Sequence, residues 1–323
     1  MVSRLNWSPA ALPSLEGRTY LVSGGNTGIG YWTVYHLALR GATVYLTSRS
    51  SDKGTSAISS IRASIKAAKP DVESSLHLVT MDNTSLKSVV AAANRIRSDC
   101  TSLHGIVNSA GIMATPYQLT EDGYEAQWQT NYLAHWLLTY HLLPLLKSTA
   151  QASAQGTVRI VNVSSMGHAA TLKEGINFKD TSLKDKFTFR RYAQSKLANI
   201  LHANALHARY NSSSATEENP PIWAISLHPG NIDTQLNSRS WGGSTLVPIL
   251  RCMGAYITPE QGSFNSLWAV AGKEVTVEIS GHYLVPVGET KTPSKQAQDV
   301  DLSARLWEWT EREMREKALL KTS

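Results

Sequence analysis

Seven short apolar runs, most of them rich in β-branched residues, punctuate the chain at regular intervals: TYLVS (19–23), TVYLTS (43–48), LHLVTM (76–81), HGIVNS (104–109), VRIVNVS (158–164), IWAISL (222–227) and HYLVPV (282–287). Between them lie segments with helical spacing at 28–40, 54–67, 85–98, 123–147 and 190–210. Strands that alternate with helices pair in parallel, because a crossover helix must return the chain to the same end of the sheet. Near-continuous apolarity within each run agrees, since a parallel sheet is covered on both faces. The expectation is one α/β domain: a doubly wound parallel sheet of about seven strands with helices on both faces, over residues 17–323, preceded by an extension at 1–16. The polar stretches STAQASAQG and NSSSATEENPP fall between elements and read as surface loops, not domain linkers. In DLSARLWEWTEREMREK, Leu302, Leu306 and Trp309 are spaced for one face of a closing helix.

With 42% hydrophobic residues among 323, the chain can bury a substantial core. Its net charge of +6 is scattered, without the basic run of a nucleic-acid-binding arm. Cys100 and Cys252 are far apart and lack metal-ligand spacing, so neither a disulfide framework nor a zinc site is indicated, and no metal is expected. The first residues are too proline-rich and too briefly apolar for a signal peptide, and the longest apolar segment, NYLAHWLLTYHLLPLLK, contains His135, His141 and Pro144. It reads as a buried helix of a soluble protein, with no membrane span. The tripeptide Ser195-Lys196-Leu197 is internal, and Asn162-Val163-Ser164 lacks an export signal. A cytoplasmic location is expected.

Directly after the first strand, SGGNTGIG places Gly24, Gly28 and Gly30 at a strand-to-helix turn. Glycines there permit positive φ and close approach of the backbone to a diphosphate, whose charge meets the N–H groups at the helix N-terminus. A tight structural turn is the alternative, but the position after strand one favours dinucleotide binding. The end of the second strand, YLTSRSSDKG, carries no carboxylate to accept from a ribose 2′-hydroxyl, since Asp52 comes several residues later. Ser48, Arg49 and Lys53 could instead face a 2′-phosphate, although Arg49 could also be a solvated loop charge. NADP(H) is therefore expected over NAD(H).

In RRYAQSKLANIL, Tyr192 and Lys196 lie four apart, on one face of a helix. A nearby ammonium favours phenolate, bringing proton exchange by the tyrosine toward neutral pH. Alone, such a pair is often accidental. Together with SGGNTGIG, NSAG (108–111), QTNYLAH, IVNVSS and HPGNIDT, it makes the sequence similar to the short-chain dehydrogenase/reductase family over roughly residues 17–290, and to its retinol-dehydrogenase-like branch most of all. Ser23 stands where the family usually has Thr, and Ser109 where it has a second Asn.

The resemblance implies a Rossmann-type fold and a catalytic tetrad of Asn131, Ser165, Tyr192 and Lys196. Tyr192 would exchange a proton with the substrate oxygen as hydride moves to or from the nicotinamide. Ser165 would hold that oxygen, Lys196 would bind the ribose hydroxyls, and Asn131 would position a relay water. It also implies cofactor contacts from Gly24, Asn26, Thr27, Gly28 and Ile29 in the turn, from Asp82 and Asn83 near the adenine, and from Asn108, Ala110 and Gly111 on the adenosine side. Pro229, Gly230, Ile232 and Thr234 would contact the nicotinamide and diphosphate, and His228 beside them is expected to be structural. Asp82 could equally serve only to form a turn.

Between Ser165 and Tyr192 lie 26 residues, about double the usual length in the family, and such a loop beside the reacting groups is expected to wall the substrate. The segment at about 235–260, with Trp241, Leu246, Val247, Ile249 and Leu250, occupies the place of the family's variable substrate lid, and its apolar residues fit equally an apolar cover or a helix packed on the core. A bulky hydrophobic carbonyl or alcohol (retinoid-, polyketide-, terpenoid- or steroid-like) is the expected partner, and a homo-oligomer is compatible with the sequence. Two other readings remain open: a non-catalytic NADP-sensing regulator, and a dehydratase or isomerase on the same scaffold.

Overall fold

The computed structural model describes residues 7–211, 216, 220–232 and 257–320. Strands β1 (Thr19–Val22), β2 (Thr43–Ser48), β3 (Ser75–Thr80), β4 (Gly105–Asn108), β5 (Arg159–Val163), β6 (Trp223–Leu227) and β7 (Tyr283–Val285) each fall within or beside an apolar run. They pair in parallel in the order β3-β2-β1-β4-β5-β6-β7. An eighth strand, β8 (Glu289–Thr290), adds an antiparallel edge. Both its residues are exposed and polar, so no apolar run marks it in the sequence. The sheet is thus mostly parallel, as expected, with one strand more. The order reverses between β1 and β4, and the crevice at the carboxyl ends of these strands is where an open α/β sheet takes its ligands.

Helices α1 (Gly28–Leu39), α2 (Ser51–Ala68), α3 (Leu86–Asp99), α5 (Ala134–Gln151) and α6 (Thr188–Tyr210) occupy the expected intervals. A short helix α4 (Ala126–Trp128) runs into α5 through one π-helical stretch, Gln129–Leu133. Helix α7 (Pro259–Ala271) has Pro259 in its first turn and a capping box in which Thr258 and Gln261 satisfy each other's backbone N–H groups. Its buried residues mix small and polar side chains (Gly262, Ser263, Asn265, Ser266) with bulky apolar ones (Leu267, Trp268, Val270), so no regular apolar stripe announces it. The closing helix α8 (Val300–Glu316) is capped by Asp299, whose carboxylate accepts from the Leu302 N–H at 2.8 Å, and it buries Leu302, Leu306, Trp307 and Trp309.

Two apolar clusters flank the sheet. One collects α3, α5, α6 and α8, with Trp136 edge-on to Trp307 and Trp128 edge-on to Trp309. The other collects α1, α2 and α7, and takes in Leu12 and Leu15 of the N-terminal extension. Each buried aromatic or aliphatic side chain of this size contributes roughly 1.5–3 kcal/mol by leaving water. Among the described residues no helix is long and apolar enough to cross a membrane.

Candidate active site

At the end of β1 the chain turns through Gly24 (φ +66°) and Gly28 (φ +58°), a region that favours glycine. A Cβ on Gly28 would meet nothing within 4 Å, whereas one on Gly30 would overlap the Gly24 carbonyl oxygen. The turn is therefore tightly folded on its inner side and open at Gly28, which suits close approach of a diphosphate. Asn26 and Ile29 are half-buried and Thr27, at the N-cap of α1, is exposed. Ala110 packs against Gly24, whose added Cβ would lie 3.0 Å from the Ala110 Cα. Ser23 joins the two loops, its hydroxyl oxygen accepting from the N–H groups of Ser109 (2.8 Å) and Ala110 (3.0 Å).

At the end of β2, Ser48 is buried and donates its hydroxyl to the Ser50 carbonyl at 2.8 Å. Arg49 and Lys53 are exposed, and no described residue pairs with either side chain. After β3, Asp82 accepts from the backbone N–H and the hydroxyl of Thr84, at 2.9 and 2.7 Å, so its carboxylate forms a turn. Asn83 points inward and donates to the Thr130 carbonyl at 3.0 Å. Asn108 is buried and bridges to Thr139 and Asn162, tying β4 to β5.

Asn131 lies in the π-helical stretch, where one extra residue in the turn alters the side-chain register. Its amide accepts from Ile112 N–H at 2.8 Å and donates to the Ile112 carbonyl and the Ser195 hydroxyl, both at 2.9 Å. Beside it, His135 has Nδ1 3.0 Å from the Asn131 carbonyl, which can only accept, so Nδ1 carries the proton. Nε2 is then an acceptor for the Ser23 hydroxyl at 2.8 Å. Burial holds this imidazole far below its ordinary pKa, at about 3.

Tyr192 and Lys196 project from α6 toward the end of β5, both buried. Ser165 hydrogen-bonds Tyr192, and a Cβ added to Gly167 would sit 3.2 Å from the Tyr192 ring and 3.4 Å from the Ser165 hydroxyl. The Lys196 ammonium lies 5.8 Å from the centre of the Tyr192 ring and donates to the Val163 carbonyl at 2.9 Å. A Cβ on Gly111 would come within 3.1 Å of the Asn131 amide oxygen and 3.5 Å of Lys196 Nζ. All four members of the expected tetrad thus converge at the carboxyl edge of the sheet. The electrostatics differ from the expectation, however. Burial pushes the Tyr192 phenol above 10, with only the Ser165 hydrogen bond opposing it, because the ammonium is directed at Val163. Burial lowers Lys196 to about 8.

Pro229 is buried, Gly230 adopts φ +100°, and Ile232 bridges to Ile257. Thr234 lies outside the described residues, as do Trp241, Leu246, Val247, Ile249 and Leu250 of the expected lid. Of the lid span, residues 257–260 form the entry to α7. Asn265 of α7 donates to the His228 carbonyl at 2.9 Å and accepts from Gly288 N–H at 2.9 Å, holding β6 against the turn before β8.

Sequence reasoning missed the ion pair of Glu125 with Arg191, 3.3 Å apart and both nearly inaccessible. Arg191 also donates to the carbonyls of Lys186 and Thr115, so the residue before Tyr192 anchors both neighbouring loops. Its position beside the catalytic candidate was the available signal, but nothing local reveals a partner 66 residues away. His168 was missed as well.

A family model described as short chain dehydrogenase matches residues 18–179. A short-chain dehydrogenase/reductase from Aspergillus calidoustus, drtF, is 50% identical over 97% of this chain and 98% of its own length. Mouse retinol dehydrogenase 13 is 33% identical over 91% of this chain and 83% of its own. A crystal structure of a protein from Mycobacterium paratuberculosis superposes with a TM-score of 0.70 at 28% identity, covering 96% of this chain and 97% of that one.

Proposed function

Because the chain belongs to the short-chain dehydrogenase/reductase family of nicotinamide-dependent oxidoreductases, we propose that it interconverts a carbonyl and an alcohol on a bulky, largely hydrophobic small molecule, using NADP(H). The observation that carries this reading is the meeting of buried Tyr192 with Ser165 and Lys196 at the carboxyl edge of the sheet, beside the glycine turn.

When bound, the nicotinamide supplies or accepts the hydride. The Gly24–Gly30 turn and the N-terminus of α1 would hold the diphosphate, and Lys196 the ribose hydroxyls. Arg49, exposed and unpaired among the described residues, would meet the 2′-phosphate with charge-assisted hydrogen bonds, supported by Lys53 and the end of β2 at Ser48. Pro229, Gly230, Ile232 and Thr234 would border the nicotinamide. Asn108, Ala110 and Gly111 would line the adenosine side.

In reduction, Tyr192 gives its phenolic proton to the nascent alkoxide, and a phenol held above 10 is fully protonated and ready to donate at neutral pH. Ser165 holds the substrate oxygen by hydrogen bonding. Asn131, held by its hydrogen bonds to Ile112 and Ser195, would position a water of the proton relay.

The test is a screen of NADPH and NADH consumption against hydrophobic ketones and aldehydes, with products identified. The expected result is alcohol formation with NADPH preferred, and Arg49→Ala raising the KM for NADPH about ten- to a hundredfold while barely moving that for NADH. Wild-type preference for NADH would remove the phosphate role of Arg49. A dehydrated or isomerised product without cofactor turnover would favour lyase or isomerase chemistry.

A further inference from the structure

His168 sits in the short 3₁₀ turn that follows Ser165, and it is buried. Its Nδ1 lies 2.6 Å from the Ser165 carbonyl oxygen, and its Nε2 lies 3.2 Å from the backbone nitrogen of Ser294. These partners leave no ambiguity of tautomer, because a carbonyl only accepts and a backbone N–H only donates. The imidazole is therefore neutral, protonated on Nδ1 and bare on Nε2. Its own backbone N–H reaches the same Ser165 carbonyl at 3.1 Å, so that oxygen is held twice. The Ser165 hydroxyl, on the other side of the residue, accepts from Gly167 N–H at 3.1 Å.

The groups packed around the ring agree with a neutral imidazole. The Tyr283 ring of β7 stands edge-on to it at 5.0 Å, and His228, after β6, faces it from the neighbouring strand end. Neither brings a carboxylate that would favour an imidazolium, and burial holds His168 below its ordinary value and His228 at about 4. On the far side, residues 291–298 form a strap over the long loop: besides the Ser294 bond, Gln296 donates to the Lys173 carbonyl at 3.1 Å.

We propose that His168 is a positioning residue for Ser165, locking the serine backbone through Nδ1–H while its Nε2 docks the C-terminal strap at Ser294. The proposal rests on Ser165 being the residue that holds the substrate oxygen. An imidazole fixed at both nitrogens cannot swing, so the serine hydroxyl is aimed before substrate arrives, and the strap shares in aiming it.

The two bonds can be separated by substitution. Asparagine places an amide nitrogen where Nδ1 was, and glutamine places an amide oxygen where Nε2 was. His168→Ala is expected to lower kcat about tenfold or more, the effect of losing one well-placed hydrogen bond, with the KM for NADPH changed less than about twofold. His168→Asn should restore kcat to within about threefold of wild type, and His168→Gln should not. Recovery by Gln and not by Asn would overturn the proposal, as would equal loss of kcat and of cofactor affinity in both. Independently of any substrate, nitrogen-15 NMR of histidine-labelled protein, assigned with His168→Asn, should show His168 as the Nδ1–H tautomer with no titration near pH 6.5. An Nε2–H tautomer or an ordinary titration would overturn it. A wild-type protein that reduces no carbonyl would instead sink the enzymatic reading, while the NMR signature still decides the contact.

Discussion

Tyr192 and Lys196 can be told apart by what their removal and their titration do. Tyr192→Phe deletes one oxygen from a ring packed beside Phe189, so the fold should stand while kcat drops about 10² to 10⁴-fold. Turnover near that of wild type would remove the tyrosine from the mechanism. Lys196, lowered to about 8 by burial, keeps its ammonium below that pH and loses it above. The kcat/KM for carbonyl reduction should therefore fall as pH rises through about 8, and a profile still level at pH 10 would dissociate the charge from the reaction. At this scale the sequence was legible wherever placement follows from local spacing, as for Tyr192 and Lys196 on one helix and for the glycine turn after β1. It was uninformative for His168, Glu125 and Asn265, whose partners are distant in the chain and whose roles appear only once β5, α6 and α7 are docked.

Elements come next. The turn between β1 and α1 is so close-packed that Gly30→Ala must push a methyl group into the Gly24 carbonyl. The backbone would have to move where the diphosphate is proposed to lie. We expect NADPH affinity to be lost with at most a modest drop in melting temperature; retained affinity would show that the turn tolerates displacement. At the start of α6, Arg191→Met would leave Glu125 as an uncompensated buried carboxylate, which typically costs about 3–5 kcal/mol in stability. Adding Glu125→Gln, which keeps an acceptor for the Trp128 N–H at the start of α4, should recover most of that loss in thermal unfolding, and failure to recover would mean that the guanidinium's bonds to Lys186 and Thr115 matter more than the charge. The helices and strands themselves were legible because apolar runs and helical spacing are local properties. What escaped was β8, two exposed residues defined wholly by pairing with β7, and α7, whose buried positions alternate polar and apolar types without a regular stripe.

For the whole molecule, acid is the informative stress. His135 and His202 are buried within the α5–α6 side of the fold, and burial holds both at about 3. Above about pH 6.5 they are neutral whether the chain is folded or not, and they contribute nothing to pH dependence. Below it the unfolded chain takes up two protons that the native state refuses until about pH 3, so stability falls with pH across that window. Each histidine contributes a slope of about 1.4 kcal/mol per pH unit. Chemical denaturation at several pH values should show the fall, and His202→Asn should reduce its steepness. A slope unchanged in that variant would assign the acid sensitivity elsewhere.

The contact between His168 and Ser294 also bears on how the protein is made. These residues are 126 positions apart, so the ribosome finishes the first five strands and α6 long before it delivers the strap. A domain folds as a unit, and the core on this side of the sheet is completed only by Trp307 and Trp309 of α8, which follow the strap. The serine loop therefore gains its last hydrogen bond only when nearly the whole chain has left the ribosome, and truncation anywhere before Ser294 should leave the loop unanchored.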